Sequence, residues 1–309
     1  MKKVFLDGSA GTTGLRIKER LEKRDDIELI TIPENLRKDI LARQDAINSA
    51  DFVFLCLPDS AALDAALLCQ NESTVIIDAS TAHRTNDSWT YGFPELAGQR
   101  EKIISSKRIA NPGCHASGFI ALIRPLTDSG IIKDNTLLSC FSITGYSGGG
   151  KKMIAEYEDA EDNLLSAPRQ YGILQNHKHL PEMAKMCGLL NPPIFSPIVA
   201  PFYSGMEVCV PVSPKELGTS KNDVCTVYKD YYNSGTVYFE EYADECGFLS
   251  AAALSGRDDM EISVFGNDER AILTARFDNL GKGASGAAIQ NMNLVMDADE
   301  TTGLNVKRR

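Results

Sequence analysis

The sequence predicts an α/β chain in two parts: a parallel sheet built from βαβ units, then an α+β part with a mixed or antiparallel sheet. Three observations carry this expectation. The N-terminal third alternates short apolar runs with amphipathic stretches, the order that right-handed βαβ crossovers require. After Cys114 the strand-like stretches recur with fewer helices between them, which favours mixed or antiparallel pairing. A chain of 309 residues is also long for one hydrophobic core, so two domains are expected.

Taken in order, residues 3–6 read as a strand and 13–24 as a helix with apolar Leu15, Ile17 and Leu21. Strand 27–32, helical 37–50, strand 52–57, helix 60–69 and strand 74–78 follow. An apolar run at 103–104 and the short run 108–110 lead into Asn111-Pro112-Gly113-Cys114. Beyond it, 116–126 reads as helix, 136–145 as a β-rich run, and 194–200, 206–212, 261–265 and 271–277 as strands. The stretch 282–296, rich in Ala, Gln, Asn and Met, looks helical. The change of texture places a domain boundary near Cys114.

Composition narrows the class. Hydrophobic residues at 43% and charged residues at 24% fit a globular protein rather than a disordered or fibrous one. A net charge of −10 argues against a broad nucleic-acid surface but leaves room for a small cationic pocket. The four-residue apolar stretch before Asp7 is too short for a secretory signal, and no run approaches the roughly 18 apolar residues of a membrane span. The eight cysteines are scattered without a CxxC pair, which fits a reducing cytoplasm and argues against zinc held by cysteines; the histidine pair lacks a third ligand nearby, so no metal site is expected.

Gly8, Gly11 and Gly14 follow the first strand and open the first helix with spacing G-x-x-G-x-x-G. Residues without a Cβ let backbone N–H groups approach a pyrophosphate, and the helix N-terminus adds partial positive charge. A ligand-free glycine turn is the plainer alternative. After the second strand, Arg37 and Lys38 suit a ribose 2′-phosphate and so NADP over NAD, with Glu34 as the contrary sign. Solvated helix residues would explain the same two cations.

Pro112 and Gly113 turn the chain into a helix that begins near Cys114, where the dipole would stabilise a thiolate nucleophile. A buried small residue is the alternative. His115 is expected to point away from the thiol. His177 and His179, two of only four histidines, would lie on one face of an extended chain, with Glu182 placed to orient an imidazole for acid/base work. Tyr146-Ser147-Gly148-Gly149-Gly150-Lys151-Lys152 could hold an anionic group or form a flexible loop. Arg84, Arg169 and Lys151 are candidates for a substrate carboxylate.

Taken together, GSAGTTG (8–14), IPENLRKD (32–39), LPDSAA (57–62), DASTAHR (78–84), GFPEL (92–96), NPGCHASG (111–118), YSGGGKK (146–152), HKHLPEM (177–183) and DNLGKGASGAAIQNMN (278–293) resemble the shorter form of N-acetyl-γ-glutamyl-phosphate reductase. The longer form carries Ala-Gly-Arg where Gly149, Gly150 and Lys151 stand here. The resemblance implies a Rossmann-type NADP-binding domain over 1–113 and 281–309, and a catalytic and oligomerisation domain over 114–280. It implies reduction of N-acetyl-L-glutamyl 5-phosphate by NADPH to the 5-semialdehyde in arginine biosynthesis, with release of inorganic phosphate. Cys114 would be the nucleophile and His177 the general acid/base, with Ser147, Gly148, Lys151, His179 and Glu182 around the substrate. Gly8, Ser9, Ala10, Gly11, Thr12, Thr13, Gly14, Leu57 and Pro58 would hold the cofactor, and Asn279, Lys282 and Gly283 would lie near the nicotinamide. A homo-oligomer, dimer or tetramer, is expected. Two other readings stay open: a reductase of an aspartyl or aminoadipyl phosphate, and a non-catalytic NADP sensor.

Overall fold

A computed structural model describes residues 1–9, 11–159, 163–233 and 235–307. The chain divides into two compact units, the first comprising Met1–Pro94, Gly98–Pro112 and Ala284–Leu304. The second comprises Glu95–Ala97, Gly113–Gly283 and the chain from Asn305 onward. Against the expected 1–113 and 281–309, Glu95–Ala97 and the chain from Asn305 onward belong with the second unit, as do Gly113 and Gly281–Gly283 at the expected boundaries. Buried carboxylates of that unit hold the latter: Glu182 accepts from the Gly113 N–H, and Asp278 from that of Gly281.

In the first unit the apolar runs become strands β1 (Lys2–Asp7), β2 (Ile27–Ile30), β3 (Phe52–Leu55), β4 (Val75–Asp78), β5 (Thr90–Tyr91) and β6 (Arg108–Ala110). Between them lie helices α1 (Thr12–Leu21), α2 (Ile40–Ser49), α3 (Asp59–Leu67) and α4 (Gln99–Ser105). The strands pair in the order β2-β1-β3-β4-β6-β5, every pair parallel. Val4, Leu6, Phe52, Phe54, Val75 and Ile77 fill one apolar layer; Phe5, Val53, Leu55 and Ile76 fill the other. Covering on both faces explains why these strands read as continuous apolar runs rather than as alternation.

Helix boundaries follow local chemistry. Gly14, Ile17 and Leu21 form the buried stripe of α1, whereas Leu15, expected there, lies off it and is 44% exposed. Helix α2 starts later than expected because the Asp39 side chain caps it, accepting from the Ala42 N–H at 2.8 Å. The residues before it form a separate 3₁₀ turn, Glu34–Leu36. The 103–104 run belongs to α4, with Ile103 buried and Ile104 half exposed.

The second unit holds α5 (Cys114–Asp128), β7 (Ser139–Gly145), α6 (Gly150–Asp159), β8 (Arg169–Gln170), α7 (Leu180–Cys187) and β9 (Ile194–Ala200). Strand β10 (Met206–Val212), α8 (Lys221–Tyr231), β11 (Val237–Phe239), β12 (Met260–Gly266) and β13 (Ala271–Phe277) complete it. Its seven strands run β11-β12-β13-β10-β7-β9-β8, antiparallel except for β7 with β9 and β11 with β12. Helix α5 lies on the face carrying Val208 and Phe277. Gly118 permits that approach, since a Cβ there would come within 2.4 Å of Val208 and 2.9 Å of Phe277. Pro125 inside α5 has no N–H for the Ala121 carbonyl, and the buried Tyr232 hydroxyl donates to that oxygen instead, at 2.8 Å.

After a π-helical turn, Gly281–Ser285, the chain returns to the first unit as α9 (Gly286–Val295). Ala288, Ile289, Met292 and Leu294 close the apolar layer that holds Val4, Leu6, Ile17 and Phe54.

Candidate active site

After β6 and Pro112, Gly113 is in extended conformation (φ −80°, ψ 144°) and is the N-cap of α5. Cys114 is therefore the first helical residue, half-buried, at an end whose N–H groups have no partner within the helix. Five other cysteines are poor nucleophiles. Burial raises Cys56 to about 12 and Cys209 to about 11, and holds Cys140, Cys187 and Cys225 above the ordinary thiol range.

Around this helix end the structure gathers three imidazoles. The His177 ring lies 4.8 Å from His179 and 5.6 Å from His115, and Phe195 packs within 5.3 Å of both His115 and His177. The histidine pair does not sit on an extended chain as expected. His179 is the N-cap residue of α7, in helical conformation, and its N–H donates to His177 Nδ1 at 3.2 Å. A turn thus does what strand alternation was expected to do. Buried Glu182, in the first turn of α7, accepts from the Gly113 N–H at 2.9 Å and so ties α7 to the start of α5. Burial, reinforced by neighbouring Lys178, lowers the His177 pKa. His115, buried beneath, is lowered to about 3 by burial and then by His177.

Sequence reasoning missed two members of this cluster. His115 Nδ1 lies 2.6 Å from Ser142 Oγ, and its Nε2 lies 2.6 Å from the Tyr171 hydroxyl. These partners are 27 and 56 residues away in sequence, so spacing carries no signal for them. Gly283 adjoins the thiol residue: a Cβ at that position would stand 3.0 Å from the Cβ of Cys114.

The glycine run is ordered by secondary structure. Tyr146–Gly149 forms a 3₁₀ turn and α6 begins at Gly150, which has φ +74°. Buried Ser147 accepts from Asn279 Nδ2 at 3.0 Å, while Asn279 Oδ1 accepts from the Gly205 N–H at 2.9 Å. Gly148 is exposed beside that amide, and Lys151 is exposed in the first turn of α6. Lys282 is ion-paired, its ammonium 2.7 Å from Glu95, with both side chains 2% exposed. Arg84 donates to the carbonyls of Asn111 and Ala79 within the first unit, and Arg169 to the Tyr157 hydroxyl within the second.

In the first unit the strand order reverses between β1 and β3, the switch point at which open parallel sheets bind ligands. Gly8 (φ +92°) follows β1, and a Cβ there would lie 2.3 Å from the Cys56 carbonyl and 3.1 Å from Leu57. A Cβ at Gly14 would meet the Gly8 carbonyl at 2.5 Å. Gly11, the N-cap of α1, meets nothing closer than 3.8 Å among the described residues, so their packing does not require glycine there. Its bare face leaves room for a bound group. Thr12 Oγ1 is buried with no hydrogen-bond partner among the described residues. An open cradle, an orphaned hydroxyl and the N-terminus of α1 fit a dinucleotide pyrophosphate. Ser9 and Thr13 are half-buried beside the cradle and Pro58 is the N-cap residue of α3, while Ala10 lies outside the described residues. After β2, Arg37 is bonded to Glu34 at 2.8 Å and Lys38 is exposed. Arg43, which the sequence did not single out, pairs with Asp7 at 2.7 Å and so neutralises the carboxylate just before Gly8.

Among the described residues no group of three or more His, Cys, Asp or Glu is arranged to hold a metal ion. No described helix is long and apolar enough to cross a membrane.

Residues 8–105 match a family model described as "Semialdehyde dehydrogenase, NAD binding domain", and residues 114–279 match "Semialdehyde dehydrogenase, dimerisation domain". An N-acetyl-gamma-glutamyl-phosphate reductase from Sinorhizobium medicae is 44% identical over 96% of this chain and 99% of its own. N-acetyl-gamma-glutamyl-phosphate reductase 2 from Nostoc sp. is 42% identical over 98% of this chain and 99% of its own. Among solved structures, aspartate semialdehyde dehydrogenase II from Vibrio cholerae is 17% identical with a TM-score of 0.71, covering 96% of this chain and 99% of that one. The Candida albicans aspartate semialdehyde dehydrogenase solved with NADP is 15% identical with a TM-score of 0.64, covering 96% and 99%. Identity of that order supports the fold alone.

Proposed function

Since the chain belongs to the semialdehyde dehydrogenase family, and within it to the N-acetyl-γ-glutamyl-phosphate reductases, we propose that it reduces N-acetyl-L-glutamyl 5-phosphate to the 5-semialdehyde in arginine biosynthesis. Inorganic phosphate is the second product, and the cytoplasm is the expected compartment. The observation that carries the reading is the placement of Cys114 at the start of α5 beside an imidazole cluster.

NADPH, when bound, supplies the hydride. Gly8, Ser9, Gly11, Thr12, Thr13 and Gly14 would hold its pyrophosphate, with Leu57 and Pro58 beside them. Lys38 and Arg37 would meet the 2′-phosphate, where the Arg37–Glu34 pair removes the repulsion that Glu34 alone would exert. Cys114 attacks the acyl carbon: a C–S bond forms, the C–O bond to phosphate breaks, and phosphate leaves with the electron pair. Once the acyl carbon has received hydride, the C–S bond breaks, the aldehyde departs and the thiolate is restored. Backbone N–H groups at the start of α5 serve the oxyanion. Because His177 Nδ1 accepts from the His179 amide, the neutral ring keeps its proton on Nε2. That suits the acid half of acid/base work. His179 and Glu182 hold the ring's surroundings, while Ser147, Gly148 and Lys151 face the substrate phosphate or carboxylate.

Homo-oligomerisation has a surface to support it. The sheet face of the second unit opposite α5 exposes Phe141 (47%), Ile194 (65%) and Ile272 (38%). Phe141 lies opposite Ser196 on β9 and Cys209 on β10, on the same face of the sheet as Ile194.

The test is Cys114→Ser, assayed by NADPH oxidation with N-acetylglutamyl phosphate and with aspartyl phosphate. Wild type should prefer the former, and the variant should keep NADPH binding and lose turnover at least a thousandfold. Mass spectrometry of the wild type should find the acyl group on the Cys114 peptide. Equal turnover by the variant would rule out the covalent route.

A further inference from the structure

We propose that Arg43 is a positioning residue for the dinucleotide: by pairing with Asp7 it cancels a negative charge built into the foot of the diphosphate cradle. The inference rests on the first unit binding NADP(H).

Asp7 is the last residue of β1 and is buried, and the glycine cradle starts at the next position. The backbone there is held from the side of β3. Asp7 pairs with Leu55, its carbonyl accepts from the Cys56 N–H at 2.8 Å, and a Cβ on Gly8 would meet the Cys56 carbonyl. Along β1, Phe5 belongs to the apolar layer of Ala46 and Ile47 on α2, and Leu6 to the opposite layer. Alternation sends the Asp7 side chain back to the α2 face. There Arg43, on α2, donates to Asp7 Oδ2 from Nε at 3.1 Å and from Nη2 at 2.7 Å. The Asp7 side chain is 8% exposed, against 84% for Glu34 in its pair with Arg37, so the charge on Asp7 is the poorly hydrated one.

A carboxylate in this place opposes the ligand that the cradle fits. The N-terminus of α1 and the orphaned Thr12 hydroxyl attract an anion, whereas an uncompensated Asp7 repels every charge on a diphosphate through weakly screening surroundings. Arg43 removes that repulsion from the α2 side, with two of its donors turned to Asp7. It therefore acts through the carboxylate. Such an effect follows the diphosphate alone, which NADPH and NADH share, and is blind to the 2′-phosphate. That separates Arg43 from Arg37 and Lys38, which stand after β2 where the 2′-phosphate is expected.

Charge fixes the sign of each substitution. Arg43→Met keeps an unbranched stem and uncovers Asp7; in titrations of the full chain it should raise the Kd of NADPH and of NADH by the same factor, on the order of tenfold. Asp7→Asn leaves Arg43 as a surplus cation and should lower both Kd values severalfold. The double variant Asp7→Asn/Arg43→Met has no lone charge and should return both to within about threefold of wild type. Inorganic pyrophosphate, used as competitor, should rank the four proteins in the same order. A pair that serves only the fold would weaken binding in both single variants, and that result overturns the proposal. A loss confined to NADPH makes Arg43 a ligand of the 2′-phosphate and overturns it too. So does a double variant that binds no better than Arg43→Met, or single variants that bind like wild type. Should Arg43→Met fail to fold, Asp7→Asn and the double variant still decide, since neither buries a lone carboxylate. A wild type that binds neither dinucleotide removes the reading beneath the proposal, a result distinct from every variant outcome.

Discussion

A methyl group at position 283 would arrive 3.0 Å from the Cβ of Cys114, 3.1 Å from the Asp278 carbonyl and 3.2 Å from the Phe277 ring. Two of these neighbours are fixed by backbone and core packing, so the cysteine is the part that gives way. Gly283→Ala should therefore lower kcat on the order of tenfold while unfolding within about 1 kcal/mol of wild type. Stopped-flow hydride transfer and urea midpoints measure the two effects. The glycine was legible as part of a motif, but its contact with Cys114 was not, because the two lie far apart in sequence. The same holds for Lys282. A cation beside a glycine suggests an anionic ligand, and only the fold reveals that Glu95 neutralises it in a site closed to water. Cys114 and the histidine pair stood out as candidates because a proline-glycine turn before a helix and a rare residue repeated at short spacing are local signals, whereas the role proposed for His177 came through family resemblance.

Helix α5 shows how an element can carry an unfavourable residue. Pro125 removes one intrahelical donor, and the hydroxyl of Tyr232, just past α8, replaces it at Ala121. Tyr228, on α8, donates likewise to Leu122 at 2.6 Å. Tyr232→Phe should cost about 1–3 kcal/mol, since it leaves a buried carbonyl unsatisfied. The same substitution at exposed Tyr242 should cost almost nothing, and chemical denaturation of the two variants compares them. Elements framed by clear periodicity, such as β9, β10 and β13, were legible to the residue. Helices α6 and α8 were not, the first because it opens in a glycine run, the second because its buried residues are only Val224 and Tyr228.

At the scale of the whole molecule, the apolar sheet face around Phe141 and Ile194 predicts that the chain does not remain single in solution. Phe141→Glu should shift the mass seen by light scattering towards the monomer, with secondary structure unchanged by circular dichroism. A monomeric wild type at micromolar concentration would remove this reading. Composition pointed to a globular chain but carried no information on this surface, since exposed and buried apolar residues look alike in a list of letters. The return of the chain after the second unit was legible only through family resemblance.

That return shapes how the protein must be made. While the ribosome is still reading the second unit, all six parallel strands have emerged, yet the groove that α9 fills beside Val4, Ile17 and Phe54 stays bare. A premature stop anywhere before Gly286 would release a product with that greasy seam uncovered, an obvious client for chaperones. The nucleotide-binding half cannot be excised as one contiguous fragment, because the piece that seals it follows Gly113–Gly283 of the other unit in the chain.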